Sequence, residues 1–376
     1  MTDSTNFAPD WVSPPGDTIA DLLEERGWTH NELAERSGFT PKHVNALLKG
    51  TATISPDAAE RLSRVLGSTT DFWLVREAHY RAAMERRSVA KSLATEADWL
   101  REIPLAWMKR QGWVATGSSV SERVEACLRY FGVATVDAWR ATYEVPLAAF
   151  RASPKFEKKI GAVASWLRRG EREATDVSCA PYDRAAFKEA LGELRGFTHA
   201  THPREFVPRL IEQCAKRGVA VVFAPAPEGC PASGATRWLS PDKAMLLLSL
   251  RHNTNDHLWF TFFHEAAHLL LHGKKMQFVD GLDGLDEEAE AEADRFARDW
   301  LISPADARRL ESLAVQHGGR LSAELVTAFA SEIGIAPGIV VGRMQKEKWL
   351  RWTHLNSLKA RYAWTDAEER KAIDDD

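Results

Sequence analysis

His264, Glu265 and His268 stand at a spacing that suits metal-assisted hydrolysis. Two histidines four residues apart fall one turn apart on one helix face, where both imidazoles can reach a single zinc ion. A glutamate directly after the first histidine lies beside the water such an ion activates and can take its proton. The surroundings are apolar: Leu258-Trp259-Phe260-Thr261-Phe262-Phe263 comes before and Leu269-Leu270-Leu271 after. A buried helix carries ionisable groups at a cost, and metal ligation is a reason to meet it. The plainer alternative is a pair of core histidines satisfied by their neighbours, with no metal.

A catalytic zinc needs a third protein ligand. Glu287-Glu288-Ala289-Glu290-Ala291-Glu292-Ala293-Asp294 opens a downstream helix rich in carboxylates. Glu290 and Asp294 share a face at i and i+4, which suits a ligand plus a carboxylate accepting a hydrogen bond from a ligating histidine. Glu292 is the alternative ligand, and Glu287 and Glu288 read as a solvated helix start. His272, one turn beyond His268, is a further ligand or a helix-terminal histidine near the site. Arg237, His257 and His272 are the cationic candidates for stabilising a transition state, with nothing to rank them.

The elements that must hold these groups follow from periodicity and punctuation. Helices are expected over 205–217, 257–272, 286–301, 304–316, 321–333 and 337–347. Strands are expected at Val219–Phe223, Ser233–Trp238 and Ala244–Leu250, with a turn at Ser240-Pro241-Asp242. Residues 75–200 read as amphipathic helices at 76–92, 98–110, 121–131, 135–142, 155–170 and 183–195. Two basic stretches there, Arg81 to Lys91 and Lys155 to Arg172, read as solvated helix faces before nucleic-acid contacts. Ahead of them, Asp17, Thr29, Thr40 and Ser55 are cap candidates for four short helices with apolar inner faces. The fold class is mainly α with a small β-sheet (α+β): a small sheet backs an active-site helix.

At 376 residues the chain exceeds a usual single core, so two or three domains are expected. The expected division is a lead-in at 1–16, a helical bundle at 17–75, a helical middle region at 76–200, a metal-bearing domain at 201–347 and a tail at 348–376. A net charge of −4 argues against a wholly basic nucleic-acid coat and leaves a local patch open. No run of ~18 apolar residues is present, so no membrane association is expected. The four cysteines include no Cys-x-x-Cys pair, which fits a reduced cytoplasm and makes a cysteine-ligated zinc an unattractive reading. The 14 tryptophans read as core or interface anchors.

Two resemblances sharpen this. Ser233-Gly234-Ala235-Thr236-Arg237-Trp238, Leu246 to Arg251, Phe260 through His264-Glu265-Ala266-Ala267-His268 to Gly273, Glu290 to Ala297, and Gly338 to Arg343 together resemble the ImmA/IrrE family of zinc metallopeptidases. The likeness covers roughly residues 205–347. It implies a C-terminal zincin-like peptidase domain with one Zn2+ per chain. His264, His268 and Glu290 would be its ligands, Glu265 its general base, and Asp294 would match the family's step after the ligand glutamate. Leu301-Ile302-Ser303-Pro304 departs from the family's usual Leu-Leu-Met-Pro at a structural position.

The front of the chain resembles the HigA-type antitoxin branch of the Cro/cI helix-turn-helix family. Leu33 to Gly38, Leu48-Lys49-Gly50 and Asp71-Phe72-Trp73-Leu74 carry that likeness. It implies an N-terminal all-α helix-turn-helix bundle whose helix from Thr40 lies in the major groove of a double-stranded DNA operator. Lys42, His43 and Asn45 would meet base edges or phosphates, and Lys49 and Thr51 the backbone. A homodimer reading two half-sites is expected of this type. The combination implies a regulator whose peptidase cleaves a regulatory protein, such as a repressor or a toxin–antitoxin partner. The alternative is a non-proteolytic antitoxin or repressor with the zinc domain as sensor or partner dock, for which the Trp-rich middle region would supply the surface.

Overall fold

The computed structural model describes residues 12–144, 160–272, 278–279, 287–318 and 320–364. By internal contacts the chain divides into two units: one runs to Glu96 and takes in Ser119–Glu122, and the other holds the remainder.

In the first unit, short apolar runs are separated by capped starts and glycine stops. They give α1 (Pro15–Arg26), α2 (His30–Ser37), α3 (Pro41–Leu48), α4 (Pro56–Leu66) and α5 (Thr70–Thr95). The hydroxyls of Thr29, Thr40 and Ser55 each accept from the amide three residues on, satisfying one donor that a helix start leaves open. Asp17 sits inside the first turn of α1 and is not its cap, because the helix already begins at Pro15, whose fixed φ suits the first helical position. Gly38 ends α2 at φ 69°, the left-handed region that makes the tight turn into α3. Ile19, Leu23, Leu33, Val44, Leu47, Leu62 and Trp73 form the buried centre.

The helix expected at 76–92 is the later part of α5, which runs unbroken from its Thr69 cap through residue 75. Arg81 leaves the basic face to bind inward. It donates to Glu77 (2.6 Å) and to the carbonyls of Gly50 and Ala52 (3.0 Å each), fastening the loop after α3.

In the second unit, the helix expected at 98–110 is a 3-10 turn, Ala97–Arg101, followed by α6 (Leu105–Arg110). Pro104 separates them, since it lacks an N–H and disfavours a helical residue before it. α7 (Val120–Phe131) and α8 (Val136–Trp139) follow, and α8 runs on as a π turn to Glu144. Trp99 packs on Trp139 at 5.5 Å between ring centroids and on Phe131 at 6.2 Å, and both indoles are buried. The middle region's tryptophans are therefore largely core. Of the second basic stretch, 155–159 lie outside the described residues. Within α9 (Ile160–Asp176), Arg168 binds the carbonyl of Tyr130 and the carboxylate of Glu171, and Arg169 pairs with Glu173.

α10 (Arg184–Gly196) and α11 (Pro203–Ala215) lead into the sheet. Its strands β1 (Val219–Phe223), β2 (Gly234–Ser240), β3 (Lys243–Leu248) and β4 (Phe278–Val279) lie in the order β1-β3-β2-β4. β1 is parallel to β3, and β2 runs antiparallel to both β3 and β4. β4 has no counterpart among the expected strands; two residues carry no alternation to read.

The sheet's two faces are committed to different helices. Val219, Val221, Ala244, Leu246 and Leu248 join the core of α12 (Asn255–Leu271) through Leu258, Trp259, Phe262 and Phe263. On the opposite face Gly170 of α9 lies against Met245 and Leu247. α13 (Glu287–Leu301), α14 (Pro304–Gln316), α15 (Ala323–Ile333) and α16 (Pro337–Lys346) complete the unit.

Beyond α16, residues 351–362 fold back as a strap onto the start of α12. Gln345 donates to the carbonyl of His354 at 3.0 Å. The amides of Asn255 and Tyr362 donate to the carbonyls of Ala360 and Asn253, both at 2.9 Å. Lys359 meets Asp256 at 2.6 Å with side chains 8% and 9% exposed. Among the described residues no single helix is long and apolar enough to cross a membrane.

Candidate metal centre and helix-turn-helix surface

α12 is buried nearly all round, so its polar groups sit where water does not reach. His264, Glu265 and His268 are 3%, 0% and 2% exposed. α13 comes close because Ala289, Ala293 and Ala297, all buried, form its contact stripe. The next residues along that stripe, Glu290 and Asp294, are thereby carried to the histidines.

The resulting triangle is tight. His264 Nε2 lies 3.0 Å from His268 Nε2 and 3.2 Å from one oxygen of Glu290. His268 Nε2 lies 3.3 Å from the other oxygen. Donors ~2.0–2.1 Å from a tetrahedral ion are ~3.3 Å apart, and one ligand atom from each of the three residues lies within 4.8 Å of the other two. The donor chemistry, two imidazoles and a carboxylate, also suits that ion. Asp294 accepts from His264 Nδ1 at 3.0 Å, leaving Nε2 for the triangle.

Without an ion the cluster holds its charges by mutual pairing. Burial pulls His264 down, but hydrogen bonds to Asp294 and Glu290 outweigh it and raise its pKa to about 10. Burial lowers His268 to about 4. Burial alone would raise Glu290, but hydrogen bonds from the two histidines lower it to about 2.

Glu265 points toward β2. A Cβ on Gly234 would stand 2.5 Å from its Oε1 and 2.6 Å from the Thr261 methyl, so only glycine permits the strand to lie there. No sequence signal marks Gly234 for this, since the closeness belongs to the packing of strand on helix. The three cationic candidates make different contacts. Arg237 projects to the α9 face and pairs with Glu171. His257 stacks on His252 at 4.2 Å, and burial lowers its pKa. His272 contacts His268 at 2.9 Å and Glu292 at 3.3 Å. Glu292, the alternative ligand, thus meets His272 and stands outside the triangle. Gly273 lies outside the described residues.

In the first unit, α3 turns Val44 and Leu47 inward and leaves Lys42, Asn45, Lys49 and Thr51 exposed, with His43 half-buried. His43 packs its ring on Phe39 at 4.9 Å. Thr51 donates its hydroxyl proton to the carbonyl of Ala46 at 3.1 Å. Asn45 is bonded to His30 of α2 at 3.1 Å, an exposed neighbour that the helix pattern alone does not single out.

Residues 19–73 match the model of the helix-turn-helix family HTH_3. The front of the chain is a helix-turn-helix domain. It is similar to YddM of Escherichia coli (strain K12), described as an uncharacterized HTH-type transcriptional regulator. Identity is 37% over 60 residues, which is 16% of this chain and 64% of that one. The chain therefore spans somewhat less than two thirds of that relative's length. An addiction module antidote protein of a HigA family from Coxiella burnetii is 28% identical over 22% of this chain and 92% of its own, with a TM-score of 0.21.

Proposed function

We propose that this chain is a DNA-binding regulator carrying a zinc-dependent endopeptidase of the ImmA/IrrE type that cuts a regulatory protein. The observation that carries the reading is the donor cluster of His264, His268 and Glu290, with contacts of 3.0–3.3 Å between its side chains, set beside a fully buried Glu265. A zinc ion held there would supply Lewis acidity toward water and the scissile carbonyl. Asp294 holds the Nδ1 proton of His264, so that Nε2 is the ligating atom. Glu265 takes the proton of the attacking water on its carboxylate and returns it to the leaving amine nitrogen. The missing Cβ of Gly234 leaves room for Glu265 against β2. The helix-turn-helix domain would present Lys42, His43 and Asn45 to operator DNA, with Lys49 and Thr51 against the backbone.

Co-expression of the wild type and Glu265→Gln with the products of neighbouring genes tests this. A partner truncated by the wild type and intact with the variant is expected. Truncation by both would refute the role of Glu265. A zinc-loaded protein that cuts no partner would favour the sensor reading.

A further inference from the structure

We propose that His272 and Glu292 are positioning residues for the metal centre, forming a carboxylate–imidazole–imidazole relay that fixes which nitrogen of His268 faces the ion. This rests on reading His264, His268 and Glu290 as the metal triangle. Within that triangle His268 presents Nε2. Its other nitrogen, Nδ1, stands 2.9 Å from Nδ1 of His272. Nε2 of His272 stands 3.3 Å from Oε2 of Glu292.

The placing of protons leaves one arrangement once Nε2 of His268 ligates. A ligating nitrogen carries no proton, so the proton of neutral His268 sits on Nδ1. Nδ1 of His272 must then accept, which puts the His272 proton on Nε2. That proton points at Oε2 of Glu292, which accepts it. Each link fixes the next, and the other tautomer at either histidine would set two donors or two acceptors face to face.

The fold supplies the geometry. His272 leaves α12 in an extended conformation (φ −105°, ψ 154°), while its amide still bonds the carbonyl of His268 at 3.2 Å. Its ring lies beside that of His268, 5.0 Å between centroids. A histidine serving only as a helix terminus would address backbone carbonyls; among the described residues this ring meets another imidazole and a carboxylate. The imidazole is 9% exposed and Glu292 is 54% exposed, so the relay runs from the buried centre to the surface. The carboxylates of α13 then have separate roles. Glu290 completes the triangle, Asp294 orients His264 directly, and Glu292 orients His268 through His272.

The test is zinc affinity of the full chain, by competition with a chromophoric chelator, for the wild type, His272→Leu, His272→Asn and Glu292→Gln. Loss of an outer partner typically weakens metal binding ~10–100-fold, and that range is expected for His272→Leu. His272→Asn, whose amide oxygen can replace the Nδ1 acceptor, should recover most of it. Histidine-selective 15N spectra of the zinc-loaded wild type should show His268 protonated on Nδ1 and His272 on Nε2. His272 protonated on Nδ1 would overturn the relay without relying on any variant. Undiminished affinity in His272→Leu would also overturn it while leaving the metal centre intact. A wild type that takes up no zinc would remove the metal centre and the relay together.

Discussion

Loading the centre with zinc should release one proton per ion and tighten with pH. In the metal-free protein, Glu290 at about 2 and His268 at about 4 already have their ligating charge states at neutral pH. His264, at about 10, carries both ring protons, one toward Asp294 and one toward Glu290. An ion entering the triangle displaces the second of these. One displaced proton makes affinity rise about tenfold per pH unit, roughly 1.4 kcal/mol each, and so about a thousandfold from pH 6 to 9. Isothermal titration in two buffers of different ionisation enthalpy counts the protons, and chelator competition across that range gives the slope. Zinc uptake with a flat pH profile would refute the placing of the proton on His264. The same shifts set metal-free stability. The raised His264 stabilises fully below about 6.5 and loses its contribution as pH rises through 10. The depressed His268 opposes folding as pH falls below about 6.5 toward 4. The metal-free melting temperature should therefore decline from pH 7 to 10, and zinc should abolish much of that decline.

Gly234→Ala forces a Cβ to 2.5–2.6 Å from Glu265 and Thr261. Overpacking of this kind costs about 1–3 kcal/mol, and displacing Glu265 by about 1 Å should cost about a hundredfold in cleavage. A variant that melts and cleaves like the wild type would show that β2 does not hold Glu265. Lys359→Met strands Asp256 as a buried charge and should cost about 3–5 kcal/mol in denaturant unfolding; adding Asp256→Asn should recover part of that loss. On the helix-turn-helix domain, Lys49→Ala should weaken DNA binding evenly across sequences and reduce the salt slope by about one. Asn45→Ala should instead change sequence preference, and a uniform loss for both variants would refute the division of roles.

What could be read from the chain was local. The four-residue spacing of His264 and His268, the shared face of Glu290 and Asp294, and the caps at Thr29, Thr40 and Ser55 all depend on one helix at a time. The helix-turn-helix pattern is of the same kind, since its turn is a short stretch from Gly38 to Thr40 between two capped segments. What escaped depends on elements meeting. The pressure of Gly234 on Glu265 exists only once β2 lies on α12, and the contact of His272 with Glu292 only once α13 crosses its end. The strap at 351–362 has no apolar period, because polar and backbone bonds hold much of it. Tryptophan count signalled burial, but not that Trp99 and Trp139 would bury their rings against each other.

The groups of the candidate metal site are close in sequence, whereas the strap is not. His264 and Asp294 are 30 positions apart, while Tyr362 of the strap reaches Ala200 across 162. Closing the longer loop costs about 1.5 kcal/mol more in chain entropy. The α12–α13 hairpin is thus the easier closure, and its residues leave the ribosome before those of the strap. An ion captured at that stage would act as a template for the hairpin during synthesis, with the strap locking the assembly last. Pulse-labelled hydrogen exchange during refolding with and without zinc would display that order, with amides of α12 protected ahead of Ala360 and Tyr362.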